Sequence, residues 1–343
     1  MEVILNTLYV TLEKAYLHLD HDTIRVEEER ETRLRVPLHH LGSVVCFGNT
    51  LVSPALMHRL ADEGKALVLM DRNGRFKARL EGGVSGNVLL RRDQYARLND
   101  GPFMLAAARA FAAGKIKNAR TSLMRGAREA KNAGDVEALA AAARGLAASL
   151  RALPGASDLD TVRGVEGEAA RRYFGAFNLL VRADLRLDFA MDGRTRRPPL
   201  DRLNALLSFS YALLMNDCRS ALEAVGLDPQ AGLFHVLRPG RAALALDLME
   251  EFRPIMDRMA LALVNRGQLG IRDFDVREGG AVSLNANGRK VVLVAYQERK
   301  QEKIHHPLTE REVPLGLIPL LQARFLARLV RGDMESYIPL TVK

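Results

Sequence analysis

Up to about residue 90, apolar positions recur in short runs with a period near two. The runs are "NTLYVTL", "AYLHLD", "TIRVEE", "TRLRVP", "SVVCF", "ALVLMD" and "RFKARLEG". Each predicts a strand, because successive side chains point to opposite faces of a sheet. Asp20-His21-Asp22, Gly48-Asn49 and Asn73-Gly74 supply turns between several of them. One helix interrupts the series. In "SPALMHRLADEG", Ser53 is placed to cap, Pro54 to take the first helical position and Gly64 to end it.

From about residue 93 the period lengthens to that of a helix. "MLAAARAFAAGKIKNARTSLMRGAREA", "DVEALAAAARGLAASLRAL", "EGEAARRYFGAFNLLV", "DRLNALLSFSYALLMNDCRSALEAVG", "ALALDLMEEFRPIMDRMALALVNRG" and "GLIPLLQARFLARLVRG" all carry it. Two stretches break the pattern: the polar, basic "DFAMDGRTRRPP" (188–199) and residues 277–300. In the second, Asn287-Gly288 suggests a short hairpin before another helix. The predicted fold class is α+β, with a small β-sandwich-like domain over residues 1–88 and a larger all-α domain over 93–343.

The 343 residues, 48% of them hydrophobic, suffice for two domains and a sizeable core. No run of about 18 apolar residues predicts a membrane span. The opening "MEVILNTLYV" has an acid at position 2 and no basic segment before its apolar run, unlike a secretory signal. The expected compartment is the cytoplasm. Cys46 and Cys218 are far apart and outside any CxxC pattern, which points to two reduced, buried thiols rather than a zinc site. A net charge of +9 and a pI near 9.7 favour a polyanionic partner, nucleic acid first, without separating DNA from RNA.

Candidate chemistry starts at "FHVLRPGRAALALDLMEEFRP", residues 234–254. Pro239-Gly240 ends whatever precedes it and a helix is expected from about Arg241. Asp247 and Glu250, three residues apart, then share one face of a helix whose neighbouring Leu244, Leu246 and Leu248 make it largely packed. Acids at the edge of a packed face need a partner, and a divalent cation or an arginine would serve. His235, just upstream, is a ligand candidate as a neutral imidazole, although a lone histidine among apolar neighbours is more often structural. Glu166 lies between Gly164 and Gly167, at the expected start of a helix whose positive end would favour a carboxylate and whose small neighbours would permit close approach. Glu168 is the rival acid, expected to face solvent. Glu166, His235 and Glu250, with Asp247 as a fourth candidate, form a hard donor set suited to Mg²⁺ or Mn²⁺.

Taken in order, these stretches resemble one family: the CRISPR-associated integrase, the metal-dependent DNA endonuclease of spacer acquisition. The match points to its type I branch, particularly subtype I-C. "GVEG" carries Glu166, "LFHVLRPG" carries His235, and "DLMEEFRP" carries Asp247 and Glu250. "VPLHHLGSVVCFGNTLVSPALMHRLADEGKALVLMDRNGRFKARL" is similar to the family's β-rich half, and "LNALLSFSYALL" to part of its helical half. The resemblance implies Glu166, His235 and Glu250 as catalytic ligands of Mg²⁺ or Mn²⁺. It also implies a homodimer, whose pairs flank a dimer of a small ferredoxin-like CRISPR-associated partner. The implied reaction joins 3′-hydroxyl ends of short foreign double-stranded DNA to a CRISPR repeat by transesterification.

Arg238, Arg241, Arg253, Arg171 and Arg172 are candidate phosphate contacts, each with a plain surface arginine as the bland alternative. The basic stretch "KIKNARTSLMRGAREAK" (115–131) presents bases on more than one helix face and could line a DNA channel, although most of them are read as solvated. Tyr173 and Tyr211 could stack on bases, but their spacing favours core packing. His39-His40 and His305-His306, the latter in a polar loop, are expected to be non-catalytic. The rival classes are a non-catalytic nucleic-acid-binding scaffold and a hydrolase of small phosphate esters, for which no GxxxxGK loop speaks.

Overall fold

The structure, a computed structural model, describes residues 6–80, 82 and 88–342. Its first part holds strands β1 (Asn6–Val10), β2 (Tyr16–Asp20), β3 (Thr23–Glu28), β4 (Glu31–Pro37), β5 (Leu41–Phe47) and β6 (Leu51–Val52). Helix α1 (Pro54–Asp62), β7 (Ala66–Met70) and β8 (Phe76–Leu80) follow. The Ser53 hydroxyl accepts the Leu56 N–H at 3.3 Å, so α1 starts where its cap and proline predict.

Two four-stranded sheets result, in the orders β1-β5-β7-β8 and β4-β3-β2-β6. β5 runs parallel to both β1 and β7, and β8 closes that sheet antiparallel to β7. The period of two then divides the side chains between two cores. Val44, Cys46 and Leu67 face Leu17, Ile24 and Val26 of the other sheet, with Leu56 and Leu60 of α1. Their neighbours Val45, Phe47, Val68 and Met70 enter the core of the helical part. A sheet buried on both faces reads as nearly continuous apolar sequence, which is why "SVVCF" and "ALVLM" alternate so weakly.

The second part holds α2 (Val88–Arg97), α3 (Gly101–Glu129), α4 (Ala133–Ala152), α5 (Leu159–Gly175), α6 (Arg202–Ala224), α7 (Ala243–Met249) and α8 (Arg253–Asn265). After them come β9 (Phe274–Val276), β10 (Val282–Leu284), α9 (Ala286–Gln301), β11 (Lys303–His306), β12 (Arg311–Pro314) and α10 (Ile318–Arg331). The expected boundary at 88–93 abuts residues 83–87, which lie outside the described residues.

This part is mostly helical rather than all-α, because it carries two short hairpins. The β9–β10 hairpin turns at Gly279-Gly280, both at positive φ, and not at Asn287-Gly288. The latter pair lies in the first turn of α9, where Asn285 caps Gly288 N–H at 3.0 Å. Residues 301–312, expected as a polar loop, instead hold β11 and the first half of β12. His306 there is fully buried and pairs with Gln322 at 3.1 Å, while His305 is exposed. Cys46 and Cys218 are buried and unpaired, as expected. No described helix is long and apolar enough to cross a membrane.

Phe47 on β5 stacks 5.9 Å from Phe209 on α6 and is 2% exposed, so it fastens the sheet to the helices. Phe47→Ala is expected to lower the unfolding free energy by about 3–5 kcal/mol, read as a lower denaturant midpoint.

Candidate active site

Glu166 comes from α5. Asp158 caps that helix by accepting the Thr161 N–H at 2.7 Å, so it begins at Leu159. Glu166 therefore sits in mid-helix, and the expectation of a helix start there is corrected. The dipole of the first turn does not reach it. Gly164 and Gly167 are not close-approach glycines either. A Cβ at either position would meet nothing within 4 Å, so they leave the surface beside Glu166 open.

His235 comes from a loop that folds back over α7, the helix that carries Asp247 and ends at Glu250. Gly240 turns the chain at φ +72°, and the helix starts at Ala243 rather than near Arg241. Asp247 is completely buried. One of its oxygens accepts Leu233 N–H at 2.7 Å and Phe234 N–H at 3.0 Å. The other accepts His235 N–H at 2.8 Å and lies 2.6 Å from His235 Nδ1. Asp247 thus shapes the loop and orients the imidazole with both oxygens committed. From α5, Arg163 donates to Phe234 O at 2.8 Å and ties the loop to the helix that carries Glu166.

Glu250 ends α7, and α8 starts three residues later. His235 Nε2 lies 3.7 Å from Glu250 Oε1. Arg253 Nε lies 3.0 Å from the same oxygen, and Lys115 Nζ lies 2.6 Å from Oε2. The same ammonium contacts Glu166 Oε1, so Lys115 bridges the two acids. Burial pushes the Glu250 carboxyl up, but Arg253, Lys115 and His235 outweigh it and hold the group at about 2. With the lysine between the acids, no three Asp, Glu, His or Cys side chains among the described residues form a ready ligand set.

Glu166, His235, Glu250, Lys115 and Arg253 line one cavity of about 650 Å³. Asp257 and Tyr211 extend it, with the Tyr211 hydroxyl 2.5 Å from Asp257 Oδ1. Arg253 and Arg194 stack over the Tyr211 ring at 5.0 and 5.4 Å. Burial pushes Asp257 up to about 6, against the pull of Tyr211 and Arg194. Tyr173 and Tyr211 are both core residues. Arg253 is 8% exposed, whereas Arg238 is exposed and Arg241 half-buried on the neighbouring loop. Arg171 and Arg172 are exposed and pair with Glu168 on their own helix. His39-His40 does not line the cavity.

Lys115, Arg163, Arg194 and Asp257 are polar residues of the site that the sequence analysis did not single out. A signal existed for Lys115. Phe111, Lys115, Asn118 and Ser122 fall on one face of α3, and the other three are buried. A lysine in that register is a charge on a packed face and needs an acid. Arg163 carries no comparable pattern.

The family model described as "CRISPR associated protein Cas1" matches residues 8–298. A "CRISPR-associated endonuclease Cas1 1" from Moorella thermoacetica is 54% identical over 99% of this chain and 99% of its own. Among solved structures, a "Casposase bound to integration product" superposes with a TM-score of 0.83 at 19% identity, over 99% of this chain and 95% of that one. A "Cas6-RT-Cas1--Cas2 complex" gives 0.83 at 23% identity, over 99% of this chain and 36% of that one. The extent of the family match and the identity to the Moorella thermoacetica relative together place this chain in the Cas1 family.

Proposed function

We propose that this protein is a divalent-metal-dependent DNA integrase and endonuclease of spacer acquisition, with Glu166, His235 and Glu250 as its catalytic ligands. The carrying observation is the meeting of these three distant residues in one cavity with Lys115 and Arg253. The donors fit Mg²⁺ or Mn²⁺. Two carboxylates offer hard oxygens, and Asp247 takes His235 Nδ1, leaving Nε2 free to ligate. When bound, the ion would polarise the scissile phosphodiester and lower the pKa of the attacking hydroxyl. Asp247 acts as the orienting partner of His235, not as a ligand.

In the reaction, the 3′-oxygen of a short foreign DNA bonds to a phosphorus at the border of a CRISPR repeat. The bond to the displaced 3′-oxygen breaks, and that oxygen takes up a proton as the attacking hydroxyl loses one. One phosphodiester replaces another, so no nucleotide triphosphate is needed. The residues' task is positioning and charge stabilisation. Lys115 and Arg253 supply positive charge where the phosphorane gathers negative charge. Arg238 and Arg241, on the loop beside His235, are placed to meet duplex backbone.

The same reading makes the working form a homodimer in the cytoplasm, joined to a small ferredoxin-like CRISPR-associated protein, and assigns the chain to subtype I-C. The name of the Moorella relative and the titles of the two structures support an endonuclease, an integration product and a Cas2 partner for those proteins. The ordered motifs support carrying them over. A DNA-binding scaffold without chemistry is the alternative, and it predicts binding without strand transfer in any metal.

Glu166→Ala, His235→Ala and Glu250→Ala are each expected to reduce integration of a labelled duplex into a repeat-containing plasmid to background. DNA binding in a mobility-shift assay should largely survive, and equal loss of both would make these residues structural rather than catalytic. Asp247→Asn replaces an acceptor with a group that is half donor, facing three backbone N–H groups. A loss of about 10- to 100-fold in Mn²⁺ affinity is expected by titration calorimetry, and an unchanged affinity would remove Asp247 from its orienting role. Arg238→Ala should weaken DNA binding and shallow the slope of log affinity against log salt by about one. An unaltered slope would exclude a phosphate contact there.

A further inference from the structure

Glu251 follows Glu250 directly and is fully buried, on the side away from the cavity. Tyr337 donates to it at 2.7 Å, and the Leu340 N–H at 2.5 Å. Gln322 Nε2 on α10 reaches its two oxygens at 3.1 and 3.0 Å. Among the described residues, these partners are all neutral. A buried acid without a counter-cation is an expensive choice, and an apolar side chain of similar size would serve stability better. Its presence calls for a role other than stability.

The partners of Glu251 supply one. Tyr337 and Leu340 belong to the C-terminal segment, residues 337–342, which is laid against α3 and the turn between α7 and α8. Asn118 on α3 donates to Glu251 O at 2.8 Å and to Leu340 O at 2.9 Å, and accepts the Val342 N–H at 2.9 Å. Asn118 shares the Lys115 face of α3, three residues on. Gly114 precedes Lys115. A Cβ there would lie 2.6 Å from Pro339 Cβ and 3.3 Å from Glu251 Cβ, so only glycine lets the segment pack this closely. The segment and Glu251 therefore lock the helix that carries Lys115 to the turn that carries Glu250.

We propose that Glu251 and the C-terminal segment 337–342 are positioning elements of the catalytic centre, holding Glu250 and Lys115 in register from behind. The inference rests on the reading of Glu250 as a catalytic ligand. Its consequence is kinetic: loosening the lock lowers turnover and leaves DNA binding in place.

The test compares Glu251→Leu, Glu251→Gln and Tyr337→Phe with Glu250→Ala in the full chain. Initial rates of integration of a labelled duplex are measured at saturating and limiting DNA, with circular dichroism and melting curves recorded alongside. Glu251→Leu is expected to lower kcat by about tenfold or more, with KM for DNA within about twofold, because a displacement near 1 Å at reacting groups is enough. Glu251→Gln, which keeps an acceptor oxygen, should recover at least about a third of the wild-type kcat. A folded Glu251→Leu protein with wild-type kcat, or one whose loss lies wholly in KM, overturns the inference. Should Glu251→Leu fail to fold, Tyr337→Phe decides, since it removes a single oxygen. A several-fold drop in kcat at unchanged melting temperature supports the lock, and an unchanged kcat overturns it. An active Glu250→Ala protein overturns the site reading and this inference together. An inactive Glu250→Ala beside a fully active Glu251→Leu overturns this inference alone.

Discussion

Negative charge brought out of water has to be balanced, and that requirement organises the helical half of this molecule. Asp247, Glu250, Glu251 and Asp257 are all nearly or fully buried within a span of eleven residues. Each meets the requirement differently. Asp247 spends its charge on three backbone N–H groups and an imidazole. Glu250 takes Lys115 and Arg253, and Asp257 takes the Tyr211 hydroxyl with two arginines stacked on that ring. Among the described residues Glu251 has neutral donors only, and it meets the requirement by holding its proton, because burial raises its carboxyl to about 8. Four solutions to one electrostatic problem draw α3, α5, α6, α10 and the C-terminal segment towards a single short stretch, α7 with the start of α8.

The sequence made the elements legible wherever a local rule decided them. Ser53-Pro54 marked the first helix, and the alternating runs marked the strands, because capping and sheet pleating act over a few residues. Pairs such as Asn287-Gly288 misled because Asn-Gly serves a hairpin turn and a helix start alike, and Asn285 took the cap. Residues 301–312 looked like a loop for want of a long apolar run. Their pairing as β11 and β12 rests on a four-residue register that no local pattern announces.

The candidate site divides along the same line. Glu166, His235 and Glu250 stood out through motifs, and Asp247 through its helical spacing from Glu250. The partners that define their environment come from far away in sequence. Lys115 lies 51 residues from Glu166, and Tyr337 lies 86 from Glu251. Only packing brings such pairs together, so composition and periodicity carry no record of which acid meets which base. The error about the start of α5 was of another kind: the helix was expected to begin near Glu166, whereas Asp158, eight residues earlier, caps it.

Glu250 and Glu251 show how sharply position decides chemistry. They are consecutive, so their side chains leave the chain about 100° apart. One enters a cavity lined by cations, where attraction outweighs burial and the carboxyl is held at about 2. The other enters the core, where burial outweighs its hydrogen bonds and the carboxyl rises to about 8. The signs of their linkage to folding are opposite. Glu250 adds stability above its ordinary value of 4.5, and that gain disappears as pH falls towards 2. Glu251 favours the fold most fully below 4.5, and loses that contribution as pH rises through about 8. At neutral pH the first is an anion available to hold a cation, and the second is largely a neutral acid that can bridge helices without a counter-charge. The pair separates reacting charge from structural hydrogen bonding within a single peptide unit, and the C-terminal segment sits on the neutral side of that divide.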